Sequence, residues 1–410
     1  MRPIYLDNNA TTRADPAVVA AMLPYFAEQF GNASSTHAFG AEVSGALKEA
    51  RQKLQQLLGA AFDHEIVFTS GGTESDNAAI RSAIETQIGR DEIVTTSVEH
   101  PAILNLVDHL EKLRGFKVRR VGVDLRGRLD IDAYRNALGP RTAIVSVMWA
   151  NNETGTIFPV EEIAKEAHAA GALFHTDAVQ AVGKIPLDLK STEIDMLSLS
   201  GHKLHGPKGI GALYIRKGIK FSPLIHGGHQ ERQRRGGTEN VPGIIALGKA
   251  AELAMAHLEE ERTRIRALRD RLERGILQQV DCCSVNGDDQ NRLPNTSNIA
   301  FEYLEGEAIL IHLDRAGIAA STGSACTAGS AEPSHVLCAM NVRSTALRGA
   351  IRFSLSRENT GADVERVLEV LPGIVERLRT LSPAWPERGA VREQVTSCDR
   401  QHRQMTDARV

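Results

Sequence analysis

Ser198-Leu199-Ser200-Gly201-His202-Lys203-Leu204-His205-Gly206-Pro207-Lys208-Gly209 follows an apolar run over 194–199 that reads as a buried strand, then breaks into glycines and a proline that no helix interior tolerates. Lys203 is thereby fixed at a strand end. A lysine is ordinarily a flexible, solvated surface group, whereas one held between a strand and a Gly-Pro turn has an amine of set reach. With its pKa lowered by burial or a neighbouring cation, such an amine condenses with an aldehyde, and Ser200 and His202 stand beside it as anion-binding groups. A basic surface turn has the same local pattern, so partners elsewhere in the chain must decide.

On both sides of this stretch, strand-like runs alternate with helix-like ones. Strands are expected over 65–69, 92–97, 117–121, 142–149, 172–176, 196–200 and 212–215, with helices from about 74, after Pro101 and over 160–170. That alternation predicts an α/β domain around a mainly parallel sheet, with its site at the carboxyl ends of the strands. Asp15-Pro16 starts one helix, and another over 39–58 stops at Gly59. A long amphipathic helix over 247–280 leads to a smaller α+β domain, with strands 297–301, 318–321 and 350–355 and helices 307–316 and 361–381. Thr360 and Asp363 have capping-box spacing at the start of the last of these. The expected division is a large domain over 16–258, a small domain built from 1–15 and 259–381, and a polar tail over 382–410.

Composition narrows the function by exclusion. The 410 residues are 42% hydrophobic and 24% charged with a formal net charge of −3, which gives no nucleic-acid footprint and no membrane-surface patch. No apolar run approaches the ~20 residues of a membrane span, and no signal-type segment follows Met1, so a cytoplasmic location is expected. Five cysteines are too few and odd in number for a disulfide framework, and they lack zinc-ligand spacing. Cys338, in an apolar run, is expected to be a small core residue; Cys282 and Cys283 fall at the end of the long helix, and Cys398 in the polar tail. Cys326 differs from these. Gly323, Ser324, Ala325, Thr327, Ala328 and Gly329 surround it, leaving an exposed thiol free to act as a nucleophile.

Other strand ends carry matching chemistry. Ser70-Gly71-Gly72-Thr73-Glu74-Ser75 joins a strand to a helix, where small residues and free N–H groups form an anion cradle, with Gly72 in the turn and the Thr73 hydroxyl as an added donor. In His175-Thr176-Asp177-Ala178-Val179-Gln180, Asp177 can hold a pyridine nitrogen protonated and Gln180 can reach the oxygen of the same ring. His100, in Glu99-His100-Pro101, can stack on a ring and move protons. Asn152 adds an amide beyond a fifth strand. Lysine, carboxylate, imidazole and phosphate turn together point to an enzyme that uses pyridoxal 5'-phosphate.

Longer blocks carry a resemblance. Tyr5 to Thr12, Gly31 to Ser35, Thr69 to Asn77, Glu99 to Ala102, Ala150 to Gly155, His175 to Gly183, Ser200 to Gly211, Gly237 to Val241, Gly323 to Thr327 and Arg352 to Ser356 resemble the cysteine desulfurase family, over residues 4 to about 380. The chain is most similar to the nitrogenase-associated NifS type. The resemblance implies the fold-type-I architecture of pyridoxal-phosphate transferases and a homodimer. It implies Lys203 as the Schiff-base lysine, Asp177 at the pyridine nitrogen, Gln180 at the ring oxygen and His100 over the ring. Thr73, Ser200 and His202 would bind phosphate, joined by Thr238 from the other subunit. Arg352 and Asn152 would hold the substrate carboxylate. L-Cysteine would give alanine and a persulfide on Cys326, whose sulfur passes to an iron–sulfur scaffold or another acceptor protein; the same thiol is a candidate transient iron–sulfur ligand. A selenocysteine lyase or aminotransferase would share the cofactor residues without needing Cys326, and a non-catalytic sulfur carrier would need Cys326 without Lys203. In one loop the chain departs from the family, which more often has glycine where His229 stands and serine where Gly236 stands.

Overall fold

The computed structural model describes residues 3–323, 333–383 and 385. Cys326, Cys398 and nearly all of the tail from 382 lie outside the described residues. In chain order the strands are β1 (Ile4–Tyr5), β2 (Ile66–Thr69), β3 (Glu92–Thr96), β4 (Lys117–Val121), β5 (Thr142–Ser146), β6 (Leu173–Asp177), β7 (Met196–Ser200), β8 (Gly211–Ile215), β9 (Cys283–Asn286), β10 (Thr296–Phe301), β11 (Ile318–Ala319) and β12 (Ala350–Ser354). β2 to β8 form one seven-stranded sheet in the order β2-β8-β7-β6-β5-β3-β4. β8 is antiparallel to both its neighbours, and every other pairing in that sheet is parallel.

Helices cover both faces, which is why β5 and β7 are buried along their whole length rather than alternating inside and out. On one face the helices Gly72–Thr86 and Pro101–Arg114 bury Ala79, Ile80, Ile103 and Val107 against Ile93, Ile144 and Met196. On the other, Ala38–Leu58 and Val241–Glu260 bring Val43, Leu54, Leu247 and Ala250 onto Phe174, Leu197 and Leu199. These two helices touch so closely that a Cβ on Gly248 would stand 2.6 Å from the Cα of Ala50.

A second apolar cluster is built from different elements. β12, β10 and β9 form an antiparallel sheet, β1 pairs in parallel with β11, and the helices Arg266–Gln279 and Gly361–Leu381 close over them around Leu272, Ile299, Phe353 and Leu371. The segment after β1 ties the two parts together: Asn8 Nδ2 donates to the Ser354 carbonyl at 2.9 Å, and Thr12 N–H to the His202 carbonyl at 2.9 Å.

Several expectations need correction. The long helix begins at Val241, six residues earlier than periodicity suggests, because Pro242 suits its first turn and Asn240 caps it by accepting from Gly243 N–H. It contains a π turn over Glu261–Ile265 before continuing as Arg266–Gln279. By length and composition this helix is long and apolar enough to cross a membrane, contrary to the sequence reading; Ile244, Ala246, Leu247, Ala250, Ala251 and Ala254 account for that by packing into the large core. Cys283 opens β9 rather than ending the helix. Cys338 is exposed, not a core residue, because the turn His335–Ala339 points Val336 and Leu337 inward and rotates the thiol outward. The strand expected over 318–321 is shorter, with Ser321 making only an isolated bridge to Arg352.

Candidate active site

The carboxyl ends of β6 and β7, the turn after β2 and the N-terminal segment 9–10 enclose a cavity of about 400 Å³, within the range of roughly 300–1,000 Å³ that small-molecule sites occupy. Gly72, Thr73, His100, Asn152, Asp177, Gln180, Ser200, His202, Lys203 and Arg352 all line it. Thr238, also singled out in the sequence, does not. Thr238 is exposed and lines a separate cavity with Ser70 and Arg235, while Cys326 lies outside the described residues.

Backbone geometry explains the convergence. β7 ends at Ser200 and passes into a tight turn over Gly201–Lys203 that aims the lysine across the cavity. Lys203 Nζ donates to the Ala10 carbonyl at 2.7 Å and also contacts the Asn9 carbonyl. The Ser70 turn can lie beside it because Gly211 in β8 has no side chain; a Cβ there would stand 2.7 Å from Gly71 Cα. From Gly71 the helix Gly72–Thr86 starts with its N–H groups at the cavity, where an anion is favoured by unpaired donors and the helix dipole.

The charges around the cavity are held against their solution preferences. Asp177 ends β6 and accepts from Val179 N–H at 2.9 Å; burial raises its carboxyl pKa, opposed by the charges of His100 and Lys203. Asp76, 1% exposed, sits behind it, its own pKa raised well above the usual range by burial and then by the charge of Asp177. Its Oδ1 has no hydrogen-bond partner among the described residues. His100 caps the helix Pro101–Arg114, its Nδ1 accepting from Ala102 N–H at 3.1 Å, and burial lowers its pKa. Burial, then Lys203 and Lys208, brings His202 down to about 4, so its ring is neutral at neutral pH.

These features fit pyridoxal phosphate. Two buried carboxyls at one end welcome a protonated ring nitrogen, the glycine turn and helix start at the other welcome phosphate, and Lys203 lies between them. Arg352, 1% exposed, pairs through Nη2 with Asp7 at 2.7 Å and through Nη1 with the carbonyls of Asn152 at 3.1 Å and Gly323 at 3.3 Å. Its Nε has no partner among the described residues.

Comparison with known proteins decides the family. Residues 4–367 match Aminotransferase class-V. A cysteine desulfurase of Gluconacetobacter diazotrophicus is 70% identical over 392 residues, 96% of this chain and 98% of the relative, and Azotobacter vinelandii cysteine desulfurase NifS is 58% identical over 393 residues, with the same coverage of each. The chain belongs to the cysteine desulfurases of the class-V aminotransferase family. Among solved structures, a NifS-like protein superposes with a TM-score of 0.86 at 39% identity, covering 92% of this chain and 100% of that one. A structure described as SspA in complex with cysteine gives 0.75 at 36% identity, covering 86% and 98%. The protein is therefore a pyridoxal-phosphate-dependent enzyme that removes sulfur from L-cysteine, on the fold-type-I architecture expected of it.

Sequence reasoning gave no role to several residues of this desulfurase site. Asn9 and Ala10 contribute backbone carbonyls, which have no side-chain signature, and Asp76 and Asp7 were visible only as members of longer blocks. The departing loop has its own geometry. Glu231, Arg232 and Gln233 are all left-handed, with Glu231 held by two hydrogen bonds from Arg51 at 2.7 and 2.8 Å. A Cβ on Gly236 would stand 2.6 Å from Gly227 Cα, so the family's more usual serine has no room there.

Below the cavity, burial holds His175 at a pKa of about 3 between Ser146 and Ser198. An unfolded imidazole titrates near 6.5, so the unfolded chain binds the extra proton and this residue's contribution to stability is lost as pH falls from about 6.5 towards 3. Urea unfolding of the wild type and His175→Gln across that range is expected to show their stability difference changing by up to ~1.4 kcal/mol per pH unit. A difference that does not vary with pH would contradict the assignment.

Proposed function

We propose that the cavity residues divide the desulfurase reaction among themselves as follows; the observation that carries the reading is the convergence on one cavity of ten residues, nine at or after the ends of β2, β3, β5, β6 and β7 and Arg352 from within β12. Gly72, Thr73, Ser200 and His202 would bind the cofactor phosphate, Asp177 would meet the ring nitrogen and Gln180 the ring oxygen, and His100 would stack on the ring. Bound there, pyridoxal phosphate supplies an aldehyde for amines and a ring that accepts an electron pair. The Lys203 amine would take the proton from the substrate α-carbon, and His100, whose pKa burial lowers, would help move protons. Arg352 and Asn152 hold the substrate carboxylate, with Asp7 keeping the guanidinium oriented. Cys326 attacks the substrate sulfur and carries it away as a persulfide, leaving alanine. Gly323 lines the cavity, and a three-residue tether from it reaches at most about 11 Å.

Arg352→Lys tests the carboxylate role. A lysine keeps the charge but loses the planar fork, so KM for L-cysteine should rise roughly 10- to 100-fold while kcat changes less. An unchanged KM would remove Arg352 from substrate binding.

The smaller unit, residues 1–15 and 259–381, is in this reading a separate domain that carries the Cys326 loop, supported by its own apolar cluster. The enzyme acts as a homodimer in which Thr238 completes the phosphate site of the partner, supported by the exposure of Thr238 outside its own cavity. Sedimentation equilibrium of the holoenzyme should give a dimer, and a fully active monomer would refute this. The acceptor is an iron–sulfur scaffold protein serving nitrogen fixation, in keeping with the NifS relative. Alanine release from L-cysteine, measured with and without candidate scaffolds, tests both the reaction and its acceptor.

A further inference from the structure

Behind the cavity wall the chain buries a second amine. Lys184 is 7% exposed, and its Nζ donates to Gln180 Oε1 at 2.8 Å and more distantly to Asn9 Oδ1 at 3.4 Å. Gln180 Nε2 in turn donates at 3.0 Å to the Asn9 carbonyl, the group that Lys203 also contacts. Asn9 is itself fixed: its Nδ2 donates to Thr296 Oγ1 at 2.8 Å and to the Asn152 carbonyl at 3.1 Å, and its Oδ1 accepts from Asn295 Nδ2 at 3.1 Å. Lys184 and Lys203 therefore reach the same asparagine, and Lys184 holds the side chain of Gln180.

The chemistry of the donors settles which way that amide points. The Asn9 carbonyl only accepts, so the amide atom beside it is the NH2 group, and the Lys184 ammonium, with N–H donors and no acceptor, takes the amide oxygen. A buried ammonium is costly without partners. Here it has two side-chain oxygens; burial brings its pKa down to about 7, opposed by the charge of Glu261, which lies with it on a small cavity of about 30 Å³ shared with His205 and Arg357.

We infer that Lys184 is a positioning residue for the desulfurase: with the Asn9 carbonyl it fixes the Gln180 amide so that its oxygen points inward and its second N–H is left for the ring oxygen of the cofactor. The inference rests on the reading of Gln180 as the ring-oxygen contact. A flipped amide would set its oxygen against the ring oxygen, acceptor against acceptor. Lys184→Met removes one of the two contacts that set this orientation and leaves only the Asn9 carbonyl to hold it.

A double-mutant cycle on the holoenzyme separates this role from plain structural support. Pyridoxal phosphate retention by equilibrium dialysis and the visible absorption spectrum from pH 6 to 9 are measured for wild type, Lys184→Met, Gln180→Ala and the double variant. Each single variant should weaken retention roughly tenfold and shift the spectral titration, and the double variant should match Gln180→Ala within about twofold. Retention and spectrum unchanged in Lys184→Met, or losses that multiply to about a hundredfold in the double variant, would overturn the inference while leaving Gln180 in place. A Gln180→Ala enzyme with wild-type retention and spectrum would instead refute the ring contact itself, and the inference with it. Should Lys184→Met not fold, Lys184→Gln and Lys184→Thr carry the comparison: glutamine keeps a donor of sufficient reach and should stay near wild type, whereas threonine is too short and should lose the lock. Equal behaviour of the two would overturn the inference.

Discussion

Lys203→Ala is expected to yield a folded protein that lacks the visible absorption of lysine-bound cofactor and releases no alanine from cysteine. Among the described residues that line the main cavity Lys203 is the only lysine, so no other amine among them can take its place. Removing a covalent group that also moves the substrate proton costs at least roughly a thousandfold in kcat, the scale on which members of one catalytic unit act. The contacts of Lys203 with the carbonyls of Asn9 and Ala10 are lost as well, which changes stability by only about 1–3 kcal/mol. Loss of turnover therefore precedes loss of fold, and thermal unfolding of the variant separates the two. A variant with the wild-type spectrum and measurable turnover would remove Lys203 from its place in the reaction.

Cys326→Ser is the second large effect, and it should leave the first half of the reaction standing. Lys203, Asp177 and Arg352, the residues proposed to meet cofactor and substrate, line the described cavity and are untouched. A hydroxyl has a pKa far above that of a thiol, supplies almost no nucleophile at neutral pH and cannot carry a persulfide. Alanine and sulfide formation should fall to near background, while addition of L-cysteine still perturbs the cofactor spectrum. Full desulfuration by the serine variant would mean that another group accepts the sulfur. Cys338 is the first candidate, because it is exposed where the sequence placed it in the core.

What could be read in advance depended on where the determining contacts lie along the chain. Strand ends marked by Ser70 to Ser75, His175 to Gln180 and Ser198 to Gly209 were legible, because the glycine turns and the alternation of strand and helix are local signals, and the parallel sheet then forces those ends together. The antiparallel β8 was not legible, since the direction of a strand has no imprint on its own residues. Asn9, Ala10 and Asp7 escaped for a different reason. Their partners Lys203 and Arg352 stand nearly two hundred or more residues away, and two of the three contribute only main-chain oxygen to them. Cys338 was misplaced because apolar neighbours in sequence do not say which way a short helical turn faces.

The central claim is that sulfur leaves L-cysteine at the cavity around Lys203 and is received by Cys326. Brief exposure of the holoenzyme to a small excess of L-cysteine, followed by acid quenching and peptide mass spectrometry, tests it most directly. One extra sulfur on the peptide that contains Cys326, absent from the same peptide when Lys203→Ala is treated alike, is the predicted result. Extra sulfur on Cys338 or Cys398 in place of Cys326, or sulfur on Cys326 without Lys203, would contradict it.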